Sequence, residues 1–162
     1  QNKAASVRSK NGIVVAGIDD VSVRFSKCCN PVPGDEIIGF VTRGRGVSIH
    51  RTDCINMMNL SEADRHRIIE AEWQGSSEGK DNELYDAEII IYANDRMGLL
   101  LEITKVFTEM KIDVKSMNIR TSKQGIATIN VGFAIRGVEA LHEVTKKVRQ
   151  IEGIKDIQRT QA

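Results

Sequence analysis

The stretch "YDAEIIIYANDRMGLLLEITKVFTEM", Tyr85 to Met110, changes its period halfway along, and that change decides the fold of the half it belongs to. Tyr85, Ala87, Ile89 and Ile91 take every second position, which marks a strand with one buried face. After "NDRMG" the spacing widens. Leu99, Ile103, Val106 and Met110 fall at i, i+4, i+7 and i+11, the stripe of an amphipathic helix. Further on, "DVKSMNIRT" and "GIATINVGFAI" flank "SKQG" as a hairpin, with Ala127, Ile129, Val131, Phe133 and Ile135 facing inward and Thr128 and Asn130 outward. Val138, Leu141, Val144, Val148 and Ile151 mark a second helix, Gly153 stands where a stop is expected, and "IKDIQR" is a last short strand. The order βαββαβ is the ferredoxin-like plan: an antiparallel four-stranded sheet with two helices on one face and the other face left open. A domain of about seventy residues buries a small fraction of its surface, so this half is expected to form a homodimer.

Toward the N-terminus, "GSSEGKDNE", residues 75–83, is small, polar and charged, and reads as a linker between this half, 84–162, and a first domain over 12–74. Residues 1–11 show no period and read as a disordered lead-in, and a chain opening on Gln-Asn-Lys reads as a piece of something longer. Within the first domain, Val21, Val23 and Phe25 alternate as a strand, "NPVPGDE" turns, "EIIGFV" and "VSIH" are strands separated by "TRGRG", and Thr52 or Asp53 caps a short helix. Ile69, Ala71 and Trp73 alternate again in "RIIEAEWQ". The fold class is therefore α+β, with a small mixed α/β domain preceding the ferredoxin-like one.

Composition narrows the function. The 162 residues carry 41% hydrophobic and 28% charged side chains, ordinary for a chain with a packed core, and no apolar run long enough to cross a membrane. A formal charge of +1 exerts no global pull on polyanions, and 4% aromatic residues leave few rings on which to stack bases. Three cysteines without a signal peptide argue against a disulfide framework and for thiols or metal ligands in a reducing compartment, hence a cytoplasmic location. No constellation for acid-base, nucleophilic or phosphoryl-transfer chemistry is visible.

All three cysteines lie in "VRFSKCCNPVPGDEIIGFVTRGRGVSIHRTDC", Val23 to Cys54. Cys28, Cys29, His50 and Cys54 make the four-donor thiolate and imidazole set that zinc prefers. His50 and Cys54, four apart, share a helix face if the short helix starts early, whereas Cys28 and Cys29 can both ligate only if Asn30-Pro31 bends the strand. The competing reading makes one of the pair a small buried residue and the other an exposed, redox-sensitive thiol. His66 and His142 lie on polar stretches and have no role. Lys27, Arg43, Arg45 and Arg51 surround the two turns, and arginines on Gly-flanked loops approach phosphates closely, so these four are candidate RNA contacts. In the second half, backbone amides at Asp95, Arg96, Met97, Gly98 and Leu99 are placed to receive a carboxylate at the helix start, with carbonyls near Asn118 for a ligand's cation: an amino-acid site. Leu99 also belongs to the apolar stripe.

The "DRMGLL" segment with its flanking strands resembles an ACT domain, a ligand-sensing module of amino-acid metabolism. Together with "CCNPVPGDEIIGFVTRGRGVSIHRTDC" the chain resembles, from Gly12 to Thr160, the regulatory end of the long RelA/SpoT-type enzymes that make and degrade (p)ppGpp. The resemblance implies a zinc-finger-like (RIS) domain ahead of the ACT domain. It implies no catalysis here, a parent that is a GTP pyrophosphokinase or (p)ppGpp hydrolase, and starvation signals passed to that parent's own catalytic domains. Partners so implied are ribosomal RNA of the A-site region, tRNA recognised by neighbouring parts, and a branched-chain amino acid at the ACT loop. The Cys-Cys pair departs from a Cys-x-x-Cys finger. The alternative is the ACT module of an amino-acid biosynthetic enzyme, which gives no reason for the Cys/His segment.

Overall fold

A computed structural model describes residues 7–8, 13–15, 22–44, 46–73 and 83–159. These divide into two compact units, the second beginning at Leu84.

The first unit is a six-stranded sheet of order β1-β2-β6-β4-β5-β3, formed by β1 (Val7–Arg8), β2 (Ile13–Val15), β3 (Val23–Phe25), β4 (Ile37–Thr42), β5 (Gly46–Arg51) and β6 (Ile68–Trp73). Two short helices, α1 (Ile55–Met58) and α2 (Glu62–Arg65), join β5 to β6. Alternation puts Val23, Val47, Ile49 and Ala71 on one face with Ile13 and Val15, and Phe25 and Trp73 stack at its margin with ring centroids 5.6 Å apart. The indole Nε1 of Trp73 donates to the Asp35 carbonyl at 3.0 Å. Gly39 lies where β4 passes under Ile69 and Val47: a Cβ there would sit 2.9 Å from Ile69 Cγ1.

Several expectations change. Residues 7–8 are not part of a structureless lead-in, since Val7 and Arg8 pair antiparallel with Val15 and Val14. Ile13–Val15 is a strand of its own, paired with β6. β3 runs parallel to β5, an arrangement that alternation alone cannot show. The N-cap of α1 is Cys54, one residue after Asp53, and α2 has no counterpart in the sequence pattern, because its four residues are too few to show a period. Val21, the linker 75–82 and Arg45 lie outside the described residues.

The second unit follows the expected order: β7 (Tyr85–Asn94), α3 (Leu99–Glu109), β8 (Val114–Thr121), β9 (Ile126–Ile135), α4 (Val138–Arg149) and β10 (Ile154–Arg159), in an antiparallel sheet of order β10-β7-β9-β8. Ala127, Ile129, Val131, Phe133 and Ile135 are all buried, as their alternation requires, and so are Leu141, Val144 and Val148 of α4. The stripe of α3 runs through Leu99, Ile103 and Phe107, with Val106 and Met110 only half-buried. Phe107 replaces them because its ring packs on Phe133 at 5.2 Å between centroids, and burying such a ring contributes about 2–3 kcal/mol. The opposite sheet face carries Glu88, Ile90, Tyr92, Thr128, Asn130 and Gly132, none fully buried, as the open-face expectation requires.

Candidate metal centre

Three segments of the first unit bring the four predicted donors together. The chain leaves β3 through a turn closed by Asn30 N–H donating to the Ser26 carbonyl at 3.0 Å, with Asn30 at φ +45°. That turn solves the problem of two adjacent cysteines: on an extended strand they would face opposite ways, whereas wound through residues 27–29 both thiols face β5. The bend therefore comes before Pro31. His50 stands near the end of β5, on the face opposite Val47 and Ile49. Cys54 follows one turn later, its N–H bonded to the Arg51 carbonyl. His50 and Cys54 do not share a helix face, because the helix begins only at Ile55.

Cys28 Sγ lies 3.3 Å from His50 Nδ1, 3.4 Å from Cys54 Sγ and 3.9 Å from Cys29 Sγ, and Cys29 Sγ lies 3.8 Å from His50 Nδ1. The four donor atoms all lie within 4.8 Å of one another. A tetrahedral ion with metal–sulfur bonds of about 2.3 Å needs ligand–ligand edges of roughly 3.5–3.8 Å, which these separations bracket. Cys29, His50 and Cys54 are buried and Cys28 is half-buried, so one edge of the cluster is open.

The surroundings prepare the donors. Ser48, two residues before His50 on the same strand face, places Oγ 3.1 Å from His50 Nε2 and 3.5 Å from the Phe40 carbonyl. A carbonyl can only accept, so the hydroxyl proton goes to Phe40 and Oγ accepts from Nε2–H; this assigns the tautomer whose bare Nδ1 faces the thiols. Such a partner on the far ring nitrogen is the usual support of a ligating histidine. Burial holds His50 below the ordinary imidazole range, hence neutral. Burial also pushes the Cys29 thiol up to about 12 and raises Cys54. At Cys28 burial acts upward too, but hydrogen bonds from Ser26, Asn56, Cys54 and Cys29 outweigh it and lower the pKa. The Arg51 N–H donates to Cys29 Sγ at 3.3 Å. Three thiols and a neutral imidazole converging on one point form a site that can hold a metal ion.

Among the described residues the candidate RNA contacts do not form one patch. Lys27 and Arg43 are exposed but stand near opposite ends of β5, a strand of six residues and so about 17 Å apart. Arg51 is buried, 3% exposed, with Nε 3.0 Å from the Asp53 carboxylate, so it offers no surface to a phosphate. It points inward because β5 alternates and the turn after it folds Asp53 back.

In the second unit the loop before α3 is tied from both sides: Asn94 N–H donates to the Gly153 carbonyl and Asp95 N–H to that of Gly125, each at 2.8 Å. Arg96 folds back onto the Glu152 carbonyl, the Met97 carbonyl and the Glu102 carboxylate. Met97 is fully exposed and Gly98, at φ +80°, has open space where a Cβ would stand. Leu99 is core, 1% exposed. Asn118 pairs with Asn130, which pairs with Ile90, five residues before Asp95 and two strands away, so within one copy Asn118 lies about 19 Å from Asp95.

Comparison with known proteins bears directly on this pair of units. The model of the RelA/SpoT RIS domain matches residues 13–74 and that of the ACT domain residues 81–159. The GTP pyrophosphokinase of Streptomyces coelicolor is 40% identical over 148 residues, covering 91% of this chain and 17% of its own length. That of Escherichia coli K12 is 37% identical over 155 residues, covering 94% of this chain and 20% of its own. The chain thus spans about a fifth of the length of these curated relatives. The crystal structure of the ACT domain from the GTP pyrophosphokinase of Chlorobium tepidum, 23% identical with a TM-score of 0.43, covers 48% of this chain and 99% of that one. Among the described residues no helix is long and apolar enough to cross a membrane. A RIS match over the Cys/His half disfavours the module of an amino-acid biosynthetic enzyme. The chain belongs to the RelA/SpoT family and carries its RIS domain followed by its ACT domain.

Proposed function

We propose that this chain is a non-catalytic regulatory part of a (p)ppGpp synthetase or hydrolase, relaying amino-acid starvation to that protein's own catalytic domains. The observation that carries this reading is the convergence of Cys28, Cys29, His50 and Cys54 in a unit matched as a RIS domain. Zinc fits the donor set best, since thiolate and imidazole at tetrahedral spacing suit it over harder cations. Its contribution is structural: all four donors come from the protein, and the ion pins the 26–30 turn and the start of α1 to β5. A rigid edge of this kind suits docking on a large partner, and the GTP pyrophosphokinase relatives point to the ribosome. Lys27 and the exposed turn at Arg43, with Arg45 two residues further in the sequence, supply the cations. Arg43→Glu reverses a charge on an exposed turn away from the metal cluster; it is expected to weaken cosedimentation with ribosomes several-fold at low salt, with the difference shrinking as salt rises. Equal cosedimentation across the salt series counts against RNA docking by this turn.

The ACT unit supplies the amino-acid input. In one copy Asn118 is too far from Asp95–Gly98 to share a ligand with it, so the reading is a site completed by a second copy, with a branched-chain amino acid between them and a homodimer as its consequence. Calorimetric titration of valine and isoleucine, with light scattering at the same protein concentration, tests both parts. Micromolar binding by a dimer is expected; a monomer at high micromolar concentration that binds neither removes this half of the proposal.

A further inference from the structure

The donor cluster has a property that ligand geometry alone does not require: two neighbouring sulfurs differ in accessibility. Cys28 Sγ and Cys54 Sγ are 3.4 Å apart, and a disulfide needs about 2.05 Å, a closure of roughly 1.4 Å that side-chain rotation can supply. Cys28 is half-buried, whereas Cys54 and Cys29 are shut away at 0% and 1% exposure. A small oxidant therefore meets Cys28 first. Of its two thiol neighbours, Cys29 is the poorer partner: it is 3.9 Å away, its sulfur is held by the Arg51 N–H, and bonding adjacent cysteines closes an eight-membered ring across a strained peptide. Cys54 is closer and not adjacent in the chain, so although its sulfur also accepts from a backbone N–H, that of Asn56, a bond to it closes without a strained ring.

We infer that Cys28 is an oxidation site for peroxides and Cys54 its resolving partner, so that oxidation closes an intramolecular Cys28–Cys54 disulfide. The Cys28 thiolate attacks one peroxide oxygen, the O–O bond breaks, and the departing oxygen takes up a proton as water or alcohol, leaving Cys28 as a sulfenic acid. The Cys54 sulfur then attacks the sulfenic sulfur; the S–S bond forms, the S–O bond breaks, and the hydroxyl leaves with the Cys54 proton as water. Two thiols lose two electrons to one peroxide, and a dithiol reductant reverses the step. The consequence for the metal rests on the metal-centre reading above: Cys29 and His50 remain, and two donors are too few to hold a tetrahedral ion. Oxidation thereby exchanges an ion that pins three segments for a covalent bond that pins two.

The test uses the intact chain, freed of reductant and treated with hydrogen peroxide, with three readouts: metal content before treatment, metal released to a chromogenic chelator, and disulfide mapping by mass spectrometry. The expected result is a mass lower by two hydrogens, a single Cys28–Cys54 link, Cys29 alkylated only after unfolding, and one metal released per link. In Cys54→Ser, peroxide is expected to leave a sulfenic acid on Cys28 that a cyclic diketone traps. A link containing Cys29, or three thiols that survive peroxide sufficient to oxidise a free cysteine peptide, overturns the inference. Absence of metal before treatment would defeat the metal-centre reading alone, since the mapping still decides the disulfide.

Discussion

Gly46→Ala melts the first unit roughly 10–30 °C below the parent chain, or keeps it from folding, while the ACT unit is unaffected. Gly46 opens β5 at φ +109°, and an ideal Cβ there would lie 2.1 Å from the Ser22 carbonyl oxygen. That oxygen accepts the Val47 N–H at 2.9 Å and so starts the parallel pairing of β3 with β5. The added methyl therefore meets backbone, which cannot swing aside as a side-chain tip can, and it forces a positive φ on an L residue. Strain of about 1–3 kcal/mol and a lost hydrogen bond of about 1 kcal/mol give a total near 2–4 kcal/mol. A domain of this size loses about 4–8 °C per kcal/mol. Gly44 is the control: it also has positive φ, +84°, but nothing within 4 Å of its Cβ position, so Gly44→Ala costs only about 1 kcal/mol. Scanning calorimetry of both variants separates the two cases; a Gly46→Ala transition within a few degrees of the parent means that Ser22 does not approach β5 this closely.

Cys29→Ala is expected to lower bound zinc from about one ion per chain to less than about a tenth, and to destabilise the first unit with it. Cys29 is buried at 1% exposure, and its removal leaves three donors with the open edge at Cys28 unguarded. Alanine fills less space and removes the sulfur that accepts the Arg51 N–H, a cost of about 1 kcal/mol that is small beside the loss of the metal. The parent chain gives a second readout. Because burial raises both Cys29 and Cys54 above the ordinary thiol value, both carry protons at neutral pH, and a metal ion that binds them as thiolates must expel at least about two protons. Affinity therefore rises with pH, and calorimetric titrations in buffers of different ionisation enthalpy reveal the released protons. Full zinc content in Cys29→Ala, confirmed by elemental analysis, would contradict the ligand assignment; unchanged content in His66→Ala is the expected control, since His66 is exposed outside the cluster.

How much of this was legible beforehand differs between the halves for a physical reason. In the ACT unit each strand is ten or eight residues long or is flanked by a helix of eleven or twelve, so the change from period 2 to period 3.6 is repeated enough to be read; only Phe107, chosen over Val106 and Met110 by the ring of Phe133, escaped. In the first unit β1, β2 and β3 have two or three residues each and α1 and α2 four, shorter than one cycle of any reliable pattern. The donor residues were legible by type, because thiols and imidazole are chemically distinctive. Their geometry was not: the turn that aims Cys28 and Cys29 the same way is made by a positive φ at Asn30 and a bond to Ser26, and neither has a periodic signature. Arg51 offers no contact surface for a different reason: it shares the parity of Val47 and Ile49 on β5, and that alternation outweighs the charge that suggests an exposed position.

Trp73, the single tryptophan of the chain, is stacked on Phe25 and bonded to the Asp35 carbonyl, wholly within the first unit. Both tyrosines, Tyr85 and Tyr92, lie on β7 of the second. Nature has thus labelled the two halves with different fluorophores. Excitation at the red edge of the absorption band selects the indole, so its emission follows the RIS half through metal stripping, oxidation or denaturant while the ACT half stays silent, and no probe has to be introduced to watch one part of the chain respond without the other.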